Sequence, residues 1–500
     1  MSYEGQPHHP HVRGGPPNAH RISLGEDDHV PAGLQLLAAH WFVRHGERSP
    51  VRKRLSGFAD IPYVFPLCAV GRSFQNAVLQ FGDLPSQGDG ATAHGAPPLP
   101  RSFRGATDDG ASFQSEATED SREGGGWKGD GGRIVKKGLM KVRRLMEDQG
   151  EGNQAIRGGM ADCYWGELTD LGRESTLSLG ARLRSLYVDQ LKFLPSNLAD
   201  LPIEESPVNF RSTGMPRTIE SLHQIVEGLF PEATREGPVE YTVRNATDES
   251  LYPNSLCTRM RVLDQASAAA AAKRYNPTLE ALDPLIQKYT GIPLRIDSKP
   301  RANGILDTIY VSRAHGIRTP KEFEDPAVLN VLEQAVVHEW FDAYASTEFK
   351  KLAMGRLLGD LRASLERKVA DPTERTEKMR LAIYACHDTS LGGILNSLDV
   401  FDGRWPPFTS HISFELFRAA SAPSFFSSFL PSFLRPSSQH YVRMRYNSQP
   451  LFIPACKPEG AHLPGSKGAV CTMEAFAKAV DGVQLTAKEW EKGCAIVVGA

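Results

Sequence analysis

Seven consecutive residues, Arg44-His45-Gly46-Glu47-Arg48-Ser49-Pro50, set one imidazole between two guanidiniums directly after the apolar run Leu36 to Val43. Such a run reads as a buried strand, and the carboxyl end of a strand in an open α/β sheet is where ligands sit. Guanidinium forks match phosphate oxygens, and a neutral imidazole is a nucleophile near neutral pH. The string therefore offers phosphate binding and a nucleophile in one place.

Two further strand-to-helix junctions carry charge. One runs from Asn209 to Thr218 and holds Arg211 and Arg217; the other is Ala385-Cys386-His387-Asp388-Thr389-Ser390. Each puts donors beside a coming helix N-terminus, where free N–H groups and the dipole favour an anion. Each alone has an ordinary reading as a capping or ion-pair residue; together they predict one site. In that site His45 attacks phosphorus, while Arg44, Arg48 and Arg211 hold the phosphoryl oxygens and His387 adds a hydrogen bond. Asp388, protonated, gives its proton to the leaving alcohol, and its carboxylate then activates water. The arginines supply the positive charge, so neither a metal nor another cofactor is expected. Folding must bring Arg211 and the His387-Asp388 pair to the His45 ring.

The positioning elements follow from periodicity. Strands are expected over Leu36–Val43, Pro207–Phe210 and Leu381–Cys386, and helices over Leu168–Tyr187 after a Thr169 cap and over Leu329–Tyr344. A further helix should carry Leu222, Ile225, Val226 and Leu229, and another Leu391, Ile394, Leu395 and Leu398. Phe414–Phe417 and Tyr441–Tyr446 alternate as two strands of a hairpin. Alternation of strand and helix predicts an α/β fold with a mixed central sheet and a mostly helical cap. The α/β core is expected over about 33–60, 165–240 and 325–455, and the cap over about 60–83, 134–164 and 241–324.

Residues 1–32 read as a disordered arm and 481–500 as a C-terminal tail. The stretch 84–133 is dense in Gly, Asp, Ser and Pro, with too few apolar residues to offset ordering entropy. Residues 419–438 hold four phenylalanines between the two hairpin strands. A greasy loop of that length departs from ordinary surface design and suggests translated intron, with a lid or membrane-touching loop as the functional alternative.

The charge is nearly balanced, 57 basic against 59 acidic residues in 500, which gives no general argument for a nucleic acid or an anionic membrane as partner. No segment approaches the roughly 20 apolar residues of a membrane span. Seven scattered cysteines, without a C-x-x-C pair, point to reduced thiols rather than a zinc site or a complete disulfide set. With no apolar leader at the N-terminus, an intracellular location, cytoplasmic or organellar, is expected. The sequon at Asn245 is then not expected to be used.

Arg44 to Pro50, Arg211-Ser212-Thr213 and His387-Asp388 resemble, in order and spacing, the histidine acid phosphatases of branch two of the histidine phosphatase superfamily. The stretches Gly166 to Gly172, Pro406-Pro407-Phe408 to His411 and Glu415-Leu416 share in the resemblance, which covers roughly residues 36 to 480. It is nearest in type to intracellular, lysophosphatidic-acid-phosphatase-like members. The resemblance implies a phosphoglycerate-mutase-like fold and hydrolysis of phosphomonoesters in acid to neutral conditions. It also implies nucleophile His45, phosphate ligands Arg44, Arg48, Arg211 and His387, and proton donor Asp388, with Arg217 supporting. The substrate class is a small phosphorylated molecule such as a lysophospholipid; a phytase, a mutase or a non-catalytic phospholipid or inositol-phosphate binder on the same fold are the alternatives. A phytase needs a strongly basic pocket, and no extra lysine-rich loop is evident. His315-Gly316-Ile317-Arg318-Thr319-Pro320 echoes the first motif, but Ala314 stands where its first arginine should be, so it reads as a helix exit.

Overall fold

The computed structural model describes residues 30–71, 162–198, 205–235, 239–371, 377–419 and 440–495, together with four short strands between 83 and 157. Most of the expected arm, the 84–133 insertion and residues 420–439 lie outside the described residues. The chain divides into two compact units, Val64–Tyr164 and the rest.

The larger unit is built on one eight-stranded mixed sheet. Its strands are β1 (Leu34–Arg44), β2 (Val208–Ser212), β3 (Thr242–Val243), β4 (Leu381–Cys386), β5 (His411–Ala419), β6 (His440–Tyr446), β7 (Gln449–Pro450) and β8 (Val470–Thr472). The order across the sheet is β7-β6-β5-β1-β4-β2-β3, with β8 also paired to β6. β1, β4, β2 and β3 run parallel, whereas β5 returns antiparallel beside β1 and pairs with β6. Central β1 is buried from Leu36 to Arg44, as both its faces are covered. Trp41 and Val43 enter one apolar cluster and Phe42 the other.

Helices α1 (Asp170–Leu183) and α2 (Pro216–Leu229) cover the first face. Thr169 caps α1 by accepting from the Gly172 amide, and a π-helical turn, Arg184–Gln190, extends it. Pro216 starts α2 with its preset φ at a position needing no N–H partner. The two helices cross at glycines: a Cβ on Gly180 would strike the Ile225 carbonyl, and one on Gly228 the Leu177 carbonyl. Leu222, Ile225, Val226 and Leu229 form the buried stripe that their spacing predicted.

Next come α3 (Thr258–Glu280), α4 (Asp283–Thr290), α5 (Ala302–Ala314), α6 (Pro326–Phe341), α7 (Thr347–Ala370), α8 (Asp388–Ser397), α9 (Met473–Asp481) and α10 (Ala487–Cys494). All of these belong to the same compact unit as the sheet. Cys494 at the end of α10 is bonded to Cys257, so the segment expected as a tail is tied into the fold. His315 caps the C-terminus of α5 and its Nε2 lies 2.8 Å from Thr169 Oγ1, a structural role for the motif's echo. In the smaller unit, residues expected in a helical cap instead form two short strand pairs, Asp83–Leu84 with Ile134–Val135 and Leu145–Glu147 with Ala155–Arg157.

The cysteine expectation is overturned. Cys68–Cys163, Cys257–Cys494 and Cys456–Cys471 form disulfides, and Cys386 alone is free and buried. The partners are separated by 95, 237 and 15 residues, so no local spacing announces them. Among the described residues no helix is long and apolar enough to cross a membrane.

Candidate active site

Register decides which residues meet. Arg44 stands opposite Cys386 in the β1–β4 pair, and Ser212 opposite Ala385 in the β2–β4 pair. The three strands therefore end within one residue of each other, and His45, His387 and Thr213 leave the sheet at neighbouring points. Two ladder bonds continue past the strand ends, His45 N to Cys386 O at 3.0 Å and Thr213 N to Ala385 O at 3.2 Å.

The loop after β1 is held by the stretch 166–172. Ser49 N donates to Glu167 O, Thr169 N to Glu47 O and Gly166 N to Pro50 O. Gly46 and Gly172 meet back to back, and a Cβ on either would collide with the other segment's backbone. Ser221 Oγ of α2 accepts from the Gly46 amide at 3.1 Å. The motif is thus clamped between the N-terminus of α1 and the side of α2.

His45 is buried, and its Nδ1 lies 2.8 Å from Gly46 O. A carbonyl only accepts, so Nδ1 carries the proton and Nε2 keeps its lone pair. Burial, then the charges of Arg44, Arg217 and Arg48, hold the imidazole well below its ordinary range and therefore neutral. Its ring is 5.7 Å from the ring of His387 and 6.0 Å from that of Phe408, centre to centre. Burial, followed by the Arg217 charge, lowers His387 to about 3, so it too is neutral. Its Nε2 lies 3.0 Å from Thr213 Oγ1, itself 2.7 Å from Thr218 Oγ1.

Arg44 packs its guanidinium 4.1 Å over the Phe408 ring, donates to Pro406 O and pairs with Asp388 at 2.8 Å. Arg48 pairs with Asp307 of α5 at 2.7 Å. Burial alone would push the Asp388 carboxyl up, but Arg44 and Arg48 carry it below its ordinary value. The Nε–H groups of Arg44, Arg48 and Arg217 are all buried with no acceptor among the described residues. Unmet buried donors cost on the order of 1–3 kcal/mol each, so their accumulation around one imidazole marks a place for an anion.

The sequence expectation for the third cation is corrected. Arg211 does not join this cluster: its Nη2 pairs with Glu249 at 2.6 Å and lies 3.4 Å from Ser250 Oγ, and the charges it feels are Glu249, Arg244 and Asp360. Arg211 stands opposite Tyr384, two residues short of the level of Arg44 and Cys386, roughly 7 Å back along the sheet. Arg217, treated as supporting, lies instead in the first turn of α2, beyond the strand end. Burial, then the like charge of Arg48, lowers it to about 10, and Asp388, Arg44 and Asp307 also act on it. Asp307 was not anticipated, since nothing in its local sequence ties a residue of α5 to Arg48.

The site opens into a cleft of about 2030 Å³. Val51, Leu171, Leu329, Val336, Trp340, Trp405 and Phe408 supply apolar wall, with Trp340 and Val51 each about 40% exposed. Arg52, Lys53, Arg54, Lys299, Arg301, Arg313 and Arg404 line it as well, a basic character that the absence of a lysine-rich loop did not foretell. Arg301, Arg404 and Arg313 are paired with Glu339, Glu333 and Glu324.

A sequence model of the histidine phosphatase superfamily (branch 2) matches residues 35–447. A probable acid phosphatase of Schizosaccharomyces pombe is 33% identical over 463 residues, 86% of this chain and 88% of that protein. The lysophosphatidic acid phosphatase type 6 of Bos taurus is 27% identical, over 68% of this chain and 70% of its own length. Among solved structures, a multiple inositol polyphosphate phosphatase of Bifidobacterium longum superposes with a TM-score of 0.51, at 11% identity over 92% of this chain and 96% of that one; that likeness concerns the fold.

Proposed function

Because the chain belongs to branch 2 of the histidine phosphatase superfamily, we propose that it turns over phosphate monoesters through a phosphohistidine on His45. The activity itself, hydrolysis of phosphomonoesters of the acid phosphatase type, follows from the family and its acid phosphatase relatives. The observation that carries the mechanism is the state of His45: neutral, tethered through Nδ1, and ringed by guanidiniums with unmet donors.

The Nε2 lone pair attacks phosphorus in line with the ester oxygen. As the P–N bond forms, Gly46 O stabilises the charge growing at Nδ1–H. Arg44, Arg48 and Arg217 neutralise the equatorial oxygens. The P–O ester bond breaks, and the departing oxygen takes the proton of Asp388. In the second half Asp388 accepts a proton from water, whose oxygen attacks the phosphohistidine, releasing phosphate and restoring Nε2. The cations provide the charge a metal would otherwise supply, so full turnover is expected in EDTA.

The test is a rapid alkaline quench of enzyme turning over a 32P-labelled ester. We expect a label on the protein that is stable to base, labile to acid and missing in His45→Ala. Undiminished hydrolysis of p-nitrophenyl phosphate by His45→Ala overturns the reading.

For the substrate, the apolar wall of the cleft, with Trp340 and Val51 exposed on it, supports an alcohol with an apolar tail, such as a lysophospholipid. The basic side chains lining the cleft, Arg52, Arg54 and Lys299 among them, favour an inositol polyphosphate as the second reading. Relative kcat/KM for lysophosphatidic acid and phytate separates them. Three disulfides support an oxidising compartment, such as an organelle lumen, over the cytosol. Fractionation that finds the native protein cytosolic with its thiols free would reject that placement.

A further inference from the structure

We propose that Arg211 is a positioning residue for His387, acting through Glu249 and Tyr252. The argument rests on the phosphohistidine reading only in giving His387 a place beside the phosphoryl group. Arg211 points from β2 to the loop between β3 and α3, where its partner Glu249 is buried. Glu249 Oε1 accepts three times: from Arg211 at 2.6 Å, and from the backbone amides of Ser250 and Leu251 at 2.8 and 2.6 Å. The carbonyl of the same residue accepts from Arg356 Nη2 and Asn254 Nδ2, at 2.8 and 3.1 Å. The carboxylate and the carbonyl of one residue thereby hold the backbone of residues 249–251 from both sides.

The next residue is Tyr252, whose ring stands edge-on to the His387 ring, 5.7 Å away between centres. On its other sides His387 has Thr213 and the ring of His45. Arg211 lies on β2 and Thr213 directly follows it, so both ends of this brace start from that strand. The chain from Arg211 through Glu249 to Tyr252 sets the wall against which the imidazole rests.

A buried ion pair is poor evidence for stability, because desolvation offsets most of its attraction. A buried pair that aims a side chain at a reacting centre has another use: displacements of about 1 Å there can cost on the order of 10²-fold in rate. Removing Arg211 also leaves Glu249 buried without its counter-charge, so the loop must shift.

The experiment compares Arg211→Met, Arg211→Lys, Tyr252→Ala and the Arg211→Met/Tyr252→Ala double variant in the full chain. Readouts are kcat and KM for p-nitrophenyl phosphate, the inhibition constant of inorganic phosphate, and the thermal midpoint. We expect kcat to fall about 10- to 100-fold in Arg211→Met. Phosphate inhibition should stay within about threefold, because Arg44, Arg48 and Arg217 are untouched; Arg211→Lys should recover part of kcat. Tyr252→Ala should show the same split while keeping its midpoint, and the double variant should be no slower than the worse single variant. Multiplying losses, or a lowered midpoint with kcat intact, overturns the proposal. Its failure leaves His45-dependent turnover standing, and so is distinct from failure of the mechanism.

Discussion

Oδ2 of Asp388 lies 2.8 Å from Nη2 of Arg44, so the proposed proton donor and a proposed phosphate ligand form an ion pair. A phosphate dianion entering the cluster competes for that guanidinium and offsets its charge, releasing the carboxyl to take a proton. On the proposed mechanism, substrate binding thereby arms the acid.

A pH dependence follows with a definite sign. The free enzyme's Asp388 is held below its ordinary value by Arg44 and Arg48 against the opposing effect of burial. Its protonated fraction falls about tenfold per pH unit above that value, so kcat/KM should decline with rising pH across the acid range. The decline in kcat should come at higher pH, because bound phosphate offsets the cations. Asp388→Asn should lose about 10²- to 10⁴-fold toward an alkyl phosphate and far less toward p-nitrophenyl phosphate, whose leaving group needs no proton. Equal losses on both substrates would remove Asp388 from the donor role.

The exchange of Arg211 for Arg217 as the third cation is open to the same assay. Arg217→Gln should lower kcat/KM by about 10²- to 10³-fold, the cost of one preorganised donor to the transferring group, and weaken inhibition by inorganic phosphate. An unchanged phosphate inhibition constant in Arg217→Gln would return the role to Arg211.

The contact between Gly46 and Gly172 predicts a structural route to inactivity. In Gly172→Ala the new methyl meets the Glu47 backbone, which can move only by dragging His45 and Arg48 with it. We expect a loss of about 1–3 kcal/mol in stability and at least a tenfold fall in kcat. Gly359→Ala in α7 is the control, since its Cβ would find nothing closer than 3.7 Å; that variant should be as stable as wild type or up to about 1 kcal/mol more so. Retained activity in a folded Gly172→Ala variant would show that the clamp is slack.

Much of the architecture was legible because it is local. An unbroken apolar run marked β1, since a strand covered on both faces has no polar side to show. Thr169 marked the start of α1 and the stripe from Leu222 to Leu229 marked α2, because capping and helical periodicity act within a few residues. The disulfides were illegible: a pair 237 residues apart leaves no trace in spacing. The same holds for the Arg48–Asp307 pair, 259 residues apart in the chain.

The sequence by itself determined that His45 lies at a strand end with Arg44 and Arg48 about it, and that His387 and Asp388 begin a helix after another strand. Only the tertiary structure decided which arginine of the 211–217 stretch completes the site. Both residue types are the same, and motif order favours neither. The choice comes from register: with Ser212 opposite Ala385 and Arg44 opposite Cys386, Arg211 falls within the sheet and Arg217 beyond its edge. Hydrogen bonds between strands set that offset, and no residue's own chemistry records where its strand will stop relative to its neighbour.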